Sequence, residues 1–274
     1  MKKSVWNYIL VGSMAISCLI YILSADADLT DGLISAWTFD DGTAKDVVGK
    51  NNGKIHGGVK AVKGKFGQGL SFDGQKGSYV EVPDDKSLQQ ENALSVSAWI
   101  YVRQGKNHSA IAFKGEKIGW GDLYMFRVAT TSNTGMTWGV CWPGTEGWFA
   151  TDNVIAPNEW YHVTLTADGK QAIAHVAKDG KVNIPPSGQG NPHPMVPPLR
   201  TFPDKPLEIG VGRAVSGTVG NDAWYDGIID EVYFWNRGLS EDEVQQLAKG
   251  SRPKLPVEPA GKLATAWGLI KIEK

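Results

Sequence analysis

Residues 226–250 read DGIIDEVYFWNRGLSEDEVQQLAKG and contain the two signals that decide the fold. The first half is rich in β-branched and aromatic residues, which predicts a strand. In the second half, Ser240 and Glu243 have the Ser-x-x-Glu spacing of a helix capping box, and Leu239 can pack against Val244. Gly250 is a natural helix stop. The stretch therefore predicts a strand followed at once by one short helix.

Six acidic residues in this stretch raise the question of a catalytic site, and most have another explanation. Residues 241–243 fill the first turn of the predicted helix, where negative charge favours the helix dipole. Asp230 and Glu231 are adjacent, so an extended strand directs them to opposite faces and they cannot flank one glycosidic bond. Asp226 and Asp230 share a face but lie about 13 Å apart along a regular strand. We therefore predict that the protein is not an enzyme.

The rest of the chain predicts an all-β architecture. The sequence has 274 residues with 33 Gly and 11 Trp, which fits short strands joined by tight turns. Six further segments have strand composition, several of them alternating apolar with polar residues: 33–39, 78–82, 94–102, 123–128, 160–167 and 171–177. Turn sequences separate them without a βαβ rhythm, which predicts a β-sandwich or jelly roll. The net charge of −1 gives no basic field for nucleic acid.

The first 27 residues have the pattern of an export signal. Lys2 and Lys3 precede an apolar stretch from Val5 to Leu23, and Ala25-Asp26-Ala27 follows as a small-x-small cleavage site. The 19 residues of the stretch border on a membrane span, so an N-terminal membrane anchor is the alternative. We expect a secreted or cell-surface protein, in contact with the membrane only through this segment if it is retained. After it, Cys141 is the one remaining cysteine, so no internal disulfide can form.

Other catalytic patterns are missing from the sequence. It contains no Gly-x-Ser-x-Gly, no His-x-x-x-His and no Cys-x-x-Cys. His162 lies within a predicted strand and is expected to pack or to form hydrogen bonds. Cys141 has no motif around it and is expected to be a small buried residue.

Motifs in a fixed order resemble a known family. The segment 33–88, then LSVSAWIYV (94–102), NEWYHVTLTADGK (158–170), LEIGVGRA (207–214) and the stretch 226–250 resemble a laminin-G-like, concanavalin A-like jelly-roll domain. The resemblance covers roughly residues 29–250. It implies a domain over 28–250, with the signal or anchor at 1–27 and a Pro-rich linker with a short tail at 251–274. The Pro-rich loop at 183–206 is longer than is typical of the family, and long loops are often functional.

The resemblance also implies a structural Ca²⁺ ion, which would join the first strand, the following loop and the last strand. Position by position it suggests Asp40, Asp46, Asn52 and Asp230 as oxygen ligands. Strand alternation places Asp230 on the apolar face with Val232, where a lone carboxylate needs a cation or several hydrogen bonds. Acceptance of backbone N–H groups by Asp230, with a simple turn at 40–42, is the alternative.

Tryptophans suggest the function. Trp37, Trp99, Trp160 and Trp235 lie in strand motifs and are expected to pack in the fold, whereas four others lie among Gly, Pro and Asp in loops and are expected to be exposed. The predicted ligand-binding residues are these four and their polar neighbours: Trp120, Asp122, Arg127, Trp142, Trp148, Arg213, Asn221, Asp222 and Trp224. The concave sheet with its loops would form the site. We predict a monomeric, non-catalytic module that binds a glycan or glycosylated surface. Alternatives are a protein-binding adhesion module and, with least support, a divergent glycosidase.

Overall fold

The computed structural model describes residues 28–105, 108–115, 124–131, 134–142, 147–212 and 223–255, with the backbone alone at 124–128. The predicted signal at 1–27 and the tail at 256–274 lie outside these ranges. No helix within them is both long and apolar enough to cross a membrane.

Short strands account for most of the regular structure of the described residues. In chain order they are β1 Leu33–Trp37, β2 Lys54–His56, β3 Lys60–Lys63, β4 Gln68–Asp73, β5 Tyr79–Val82, β6 Leu94–Gln104, β7 Ala110–Gly115, β8 Tyr124–Thr130, β9 Met136–Val140, β10 Trp148–Thr151, β11 Trp160–Ala167, β12 Gln171–Lys178, β13 Lys181–Asn183, β14 His193–Pro194, β15 Leu207–Ile209, β16 Val211–Gly212, β17 Ala223–Trp224 and β18 Asp226–Trp235. A 3₁₀ turn spans Lys86–Leu88, and helix α1 spans Glu241–Ala248. All six predicted strand segments and the predicted helix are confirmed.

Two antiparallel sheets form the sandwich. The nine-stranded sheet has the order β13-β12-β11-β6-β18-β4-β3, with β1 also on β18 and β14 on β12. The seven-stranded sheet has the order β10-β9-β8-β7-β15-β5-β2. Strands that follow one another in sequence often lie far apart in the sheets, and β18, for example, lies between β6 and β4. Two packed antiparallel sheets with such crossovers form a jelly roll, so the prediction of an all-β jelly roll with one short helix is confirmed.

The main core lies between the two sheets and follows from residue alternation. In β6, Val96, Ala98 and Ile100 point inward, and Trp138 and Val80 meet them from the other sheet. As predicted, the strand residues Trp37, Trp99 and Trp235 are buried and serve packing, whereas Trp160 is only half-buried and belongs to no apolar cluster of the described residues, so the packing prediction is wrong for it. The indole N–H of Trp37 donates to the Asn51 carbonyl at 2.7 Å, and that of Trp235 donates to the Leu29 carbonyl at 2.9 Å.

Helix α1 covers part of the outer face of the nine-stranded sheet. Ser240 accepts the Glu243 N–H, and the Glu243 carboxylate accepts the Ser240 N–H, which completes the predicted capping box. Val244 and Leu247 pack on Tyr233 and Trp235 in a second apolar cluster.

Strand β18 contains a bulge that the sequence did not reveal. Asp230 pairs with Trp99 and Tyr233 with Ser97, so two residues on β18 oppose one on β6, and Glu231 has a φ of 51°. The bulge changes which side chains share a face. Ile229 and Val232 belong to the main core, whereas Tyr233 belongs to the outer cluster. The predicted alternation of Asp230 with Val232 is therefore wrong, because the extra residue shifts the phase.

The Pro-rich loop is anchored rather than open. Met195 and Leu199 are buried in the main core. The Asn191 side chain accepts the Ala174 N–H and donates to the Ala174 carbonyl, each at 3.0 Å, which ties the loop to β12. Much of its unusual length therefore serves the fold.

We predict that Ser240→Ala lowers the free energy of unfolding by about 1 kcal/mol, because the Glu243 N–H at the start of α1 loses its acceptor. Urea unfolding followed by circular dichroism measures this. Ser251→Ala, an exposed serine beyond the helix, serves as the control and should change stability little. Equal losses in both variants would contradict the role of the cap.

Candidate functional site

Asp46 is buried and accepts four backbone N–H groups. One oxygen, Oδ1, accepts from Ala36, Val48 and Gly49 at 3.0, 3.1 and 2.9 Å, and Oδ2 accepts from Asn51 at 3.0 Å. Asn52 Oδ1 accepts the Asp46 N–H at 3.0 Å. These hydrogen bonds fold the 46–52 loop against β1, and they occupy the oxygens that a cation would need.

Asp40 is paired with an arginine rather than placed in a cage of oxygen ligands. Its Oδ2 lies 2.7 Å from Nη2 of Arg252, and the same nitrogen lies 2.6 Å from Glu231 Oε1. The other Glu231 oxygen accepts the hydroxyl proton of Tyr233. Arg252 therefore supplies positive charge to Asp40, the one predicted calcium ligand with which it forms an ion pair.

Asp230 and Glu231 lie together on the outer side of β18, fully buried. Glu231 bonds Tyr233, a residue of the outer cluster, and Asp230 Oδ2 accepts the Phe66 N–H at 3.0 Å. The prediction that the two acids face opposite sides is therefore wrong, since the bulge brings both outward. Asp230 Oδ1 has no hydrogen-bond partner among the described residues. Burial, with the neighbouring charge of Glu231 adding to it, raises the pKa of Asp230 to about 7.

Two histidines extend this buried polar layer across the sheet. His162 and His175 are each 2% exposed and lie on β11 and β12. Burial lowers the pKa of His162 to about 3 and that of His175 to about 4, so both are neutral near pH 7. His162 packs against Trp99 with ring centroids 5.2 Å apart, which confirms its predicted packing role.

The four predicted calcium ligands do not fit a metal site as the structure arranges them. Within the described ranges, no group of three or more Asp, Glu, His or Cys side chains is placed to hold a metal ion. Asp46 and Asn52 form one backbone-bound loop, whereas Asp40 faces Arg252. Calcium binding by this chain stays a prediction of the resemblance, without support from these residues.

The predicted tryptophan platforms have three different outcomes. Trp142 is 7% exposed and belongs to the main core, so its expected exposure is wrong. Trp148, on edge strand β10 of the seven-stranded sheet, and Trp224, on β17 of a separate two-stranded sheet with β16, are both half-buried. Trp148 packs on a small outer cluster that includes Phe113 and Cys141, and burial of Cys141 confirms that prediction. Trp120, Asp122, Arg213, Asn221, Asp222 and the Arg127 side chain lie outside the described residues.

The structure adds neighbours to Trp224 that sequence reasoning missed. His56 and Tyr79 are direct cross-strand partners whose rings stack with centroids 4.6 Å apart, and the Trp224 ring lies 6.0 Å from Tyr79. The Tyr79 hydroxyl donates to Glu81 at 3.1 Å. We call these four residues the Tyr79 surface. Period-two alternation in YVEV, with Val80 and Val82 inward, could have placed Tyr79 and Glu81 outward together.

With this sandwich established, sequence comparison identifies its family. Residues 73–245 match the model of the concanavalin A-like lectin/glucanases superfamily. The chain belongs to this superfamily. No curated protein is significantly similar to it in sequence.

Solved structures share the fold at low identity. Domain 4 of AbnA, an extracellular GH43 arabinanase of Geobacillus stearothermophilus, solved in complex with arabinotriose, is 20% identical with a TM-score of 0.52, over 79% of this chain and 98% of that one. The binding domain of Paraclostridial Mosquitocidal Protein 1 is 16% identical, with a TM-score of 0.56, over 80% and 52%. Trypanosoma rangeli sialidase is 18% identical, with a TM-score of 0.54, over 80% and 33%. This chain therefore spans about half the length of the mosquitocidal protein's binding domain and about one third the length of the sialidase.

We predict that Asp46→Ala lowers the free energy of unfolding by roughly 3 kcal/mol or more, because it leaves buried N–H groups without an acceptor. Thermal and urea unfolding measure this. Asp41→Ala is the control, since Asp41 is exposed and serves only a local turn with Thr43. We also expect wild-type melting to be the same with calcium and with chelator. A melting temperature that falls with chelator would contradict the backbone-bound assignment.

We predict that stability depends on pH through Asp230. The pKa of Asp230 is about 7 in the folded protein, against 3.8 for an ordinary aspartate, so the folded state binds a proton that the unfolded chain releases between these values. The free energy of unfolding should therefore fall as pH rises from roughly 4 to 7. Asp230→Asn removes this titrating group. In urea titrations, the free energy of unfolding of the variant should therefore rise relative to that of wild type as pH increases through that window. A difference that stays constant with pH would contradict the prediction.

Proposed function

We propose that this protein is an exported, non-catalytic module that binds carbohydrate through the Tyr79 surface. The observation that supports this most is the combination of half-buried aromatic rings with a carboxylate on one open sheet face. A sugar places the apolar C–H face of its ring on an aromatic side chain, and its hydroxyl groups need nearby acceptors and donors. Tyr79 and Trp224 supply the rings, and the 38% exposed carboxylate of Glu81 supplies polar atoms beside them.

Burial of the acidic pair supports binding rather than hydrolysis. Asp230 and Glu231 are 0% and 1% exposed, beneath the 63–67 loop and Arg252, so a glycosidic bond has no path to them. A glycosidase needs two carboxyl groups on either side of an accessible bond. The carboxylate of the Tyr79 surface, Glu81, is bonded to Tyr79 instead.

The structural relatives fit this proposal but do not identify the sugar that this chain would bind. The AbnA domain, of which this chain covers nearly the whole length, was solved with arabinotriose bound. The export signal predicted at 1–27 would place such a module where extracellular glycans occur. On the Tyr79 surface the 38% exposed Glu81 faces the exposed Lys54 directly across the strands, so the two charges offset each other and the surface favours neutral sugars.

We predict that Trp224→Ala and Tyr79→Ala each weaken glycan binding at least about tenfold, because each removes one ring of the platform. A glycan array, followed by calorimetry on the best hit, measures this. Trp224→Phe should retain most binding since it keeps an aromatic ring, and Val196→Ala, an exposed residue on the Pro-rich loop, should change nothing.

Unchanged melting temperatures must accompany the loss of binding in the two alanine variants. Absence of binding to any glycan would contradict the proposal and favour a protein-binding module. Hydrolysis of a bound polysaccharide would contradict the non-catalytic part.

A further inference from the structure

The outer face of the nine-stranded sheet is only partly covered. Helix α1 packs against β11, β12 and β13 and covers Tyr233 and Trp235 on β18. At the other end of the strands, a row of direct cross-strand partners runs over five strands: Trp160, Tyr101, Ile228, Ser71 and Lys60. The first four are half-buried and Lys60 is exposed, so the row faces solvent.

Two aromatic rings stand side by side in this row. The Tyr101 and Trp160 centroids lie 5.6 Å apart with an angle of 57° between the planes. Their neighbours in the strands, Ile100 and Tyr161, point into the main core, so these two rings point outward. We call this outward-facing pair of rings the ledge.

Beside the ledge, an ion pair is fixed in place. Arg103 Nε donates to Asp226 Oδ1 at 2.8 Å, Nη1 donates to Ser71 Oγ at 3.1 Å, and Nη2 donates to the Phe72 carbonyl. The Arg103 and Asp226 side chains are still 37% and 21% exposed. The ion pair therefore presents polar groups to solvent without needing to reorganise.

Positive charge exceeds negative charge around the ledge. Lys65 Nζ lies 4.5 Å from the Trp99 ring, and Trp99 is two residues before Tyr101 on the same face of β6. Neither Lys65 nor Lys60 has an ion pair within the described residues. The carboxylates at this end are engaged: Asp226 with Arg103, Asp73 with the Gln75 N–H at 3.0 Å, and Glu159, the residue before Trp160, with Lys178 at 2.5 Å.

We propose that this face, which we call the Trp160 surface, is a second carbohydrate site that takes pyranose rings carrying carboxylates, as in a polyuronate. The rings stack on Trp160 and Tyr101, while Lys65, Lys60 and Arg103 attract the carboxylates. Charge distinguishes it from the Tyr79 surface, where Glu81 and its cross-strand partner Lys54 offset each other and leave no excess of positive charge for a uronate.

A protein partner fits the Trp160 surface less well than a saccharide. The core of a protein interface is a contiguous, largely apolar patch. The large apolar side chains that are exposed among the described residues are Val47, Val48 and Val196, and none of them lies on this sheet face. Two rings among fixed charges match one or two sugar units better.

Calorimetric titration with an oligouronate and with its methyl ester tests the proposal. For wild type we expect binding of the oligouronate, at least about tenfold weaker binding of the neutral ester, and affinity that falls with salt. Trp160→Ala should lower oligouronate affinity at least about tenfold, Trp160→Phe should retain most of it, and Lys65→Gln should reduce the salt dependence. Melting temperatures of all variants confirm folding.

The two surfaces can fail separately in this experiment. Trp160→Ala should leave glycan binding at the Tyr79 surface unchanged. Trp224→Ala should lower glycan affinity at the Tyr79 surface and leave oligouronate affinity unchanged. Loss of oligouronate binding in Trp224→Ala but not in Trp160→Ala would overturn the Trp160 surface while leaving the proposed function intact. Equal affinity for acid and ester, or no oligouronate binding by wild type, would overturn it as well.

Discussion

The bulge at Glu231 sets the geometry on which the rest of this sandwich depends. Strand β18 pairs with β6, β4 and β1, so its phase determines both faces of the nine-stranded sheet. Because side chains alternate with a period of two, one extra residue exchanges the inward and outward sets beyond it. That exchange sends Tyr233 and Trp235 outward, where α1 needs an apolar base, and Val232 inward into the core. Without it, the helix would have no partner.

The same bulge buries two carboxylates, which costs free energy. Contacts with neighbouring side chains offset this cost. A left-handed backbone at a non-glycine residue, as at Glu231, persists only where surrounding contacts hold it. Tyr233 and Arg252 bond the Glu231 side chain, and Arg252 also bonds Asp40. The segment after α1 is thereby fastened both to the turn that follows β1 and to the last strand, β18. The acidic stretch that suggests catalysis in the sequence serves this closure.

Local patterns in the sequence were sufficient for most of the fold and for little of the site. The strands and α1 follow from periodicity and capping, which are properties of neighbouring residues. The bulge does not, since a glutamate gives no signal that its φ will be positive. Trp142 shows the same limit: its loop residues predicted exposure, yet Gly147 lacks a side chain and the indole packs into that space. The Tyr79 surface unites three strands distant in sequence, so only pairing reveals it.

A sandwich has two outer faces, and this chain uses them unequally. On the nine-stranded sheet, α1 and both ends of the described domain occupy one half, since Asp28, Leu29 and Thr30 line the same pocket as Ser251, Arg252 and Lys254. The free half retains exposed cations, and the seven-stranded sheet retains rings beside a carboxylate. The two free areas therefore differ in charge and lie on opposite faces of the sandwich, so a ligand on one would leave the other accessible.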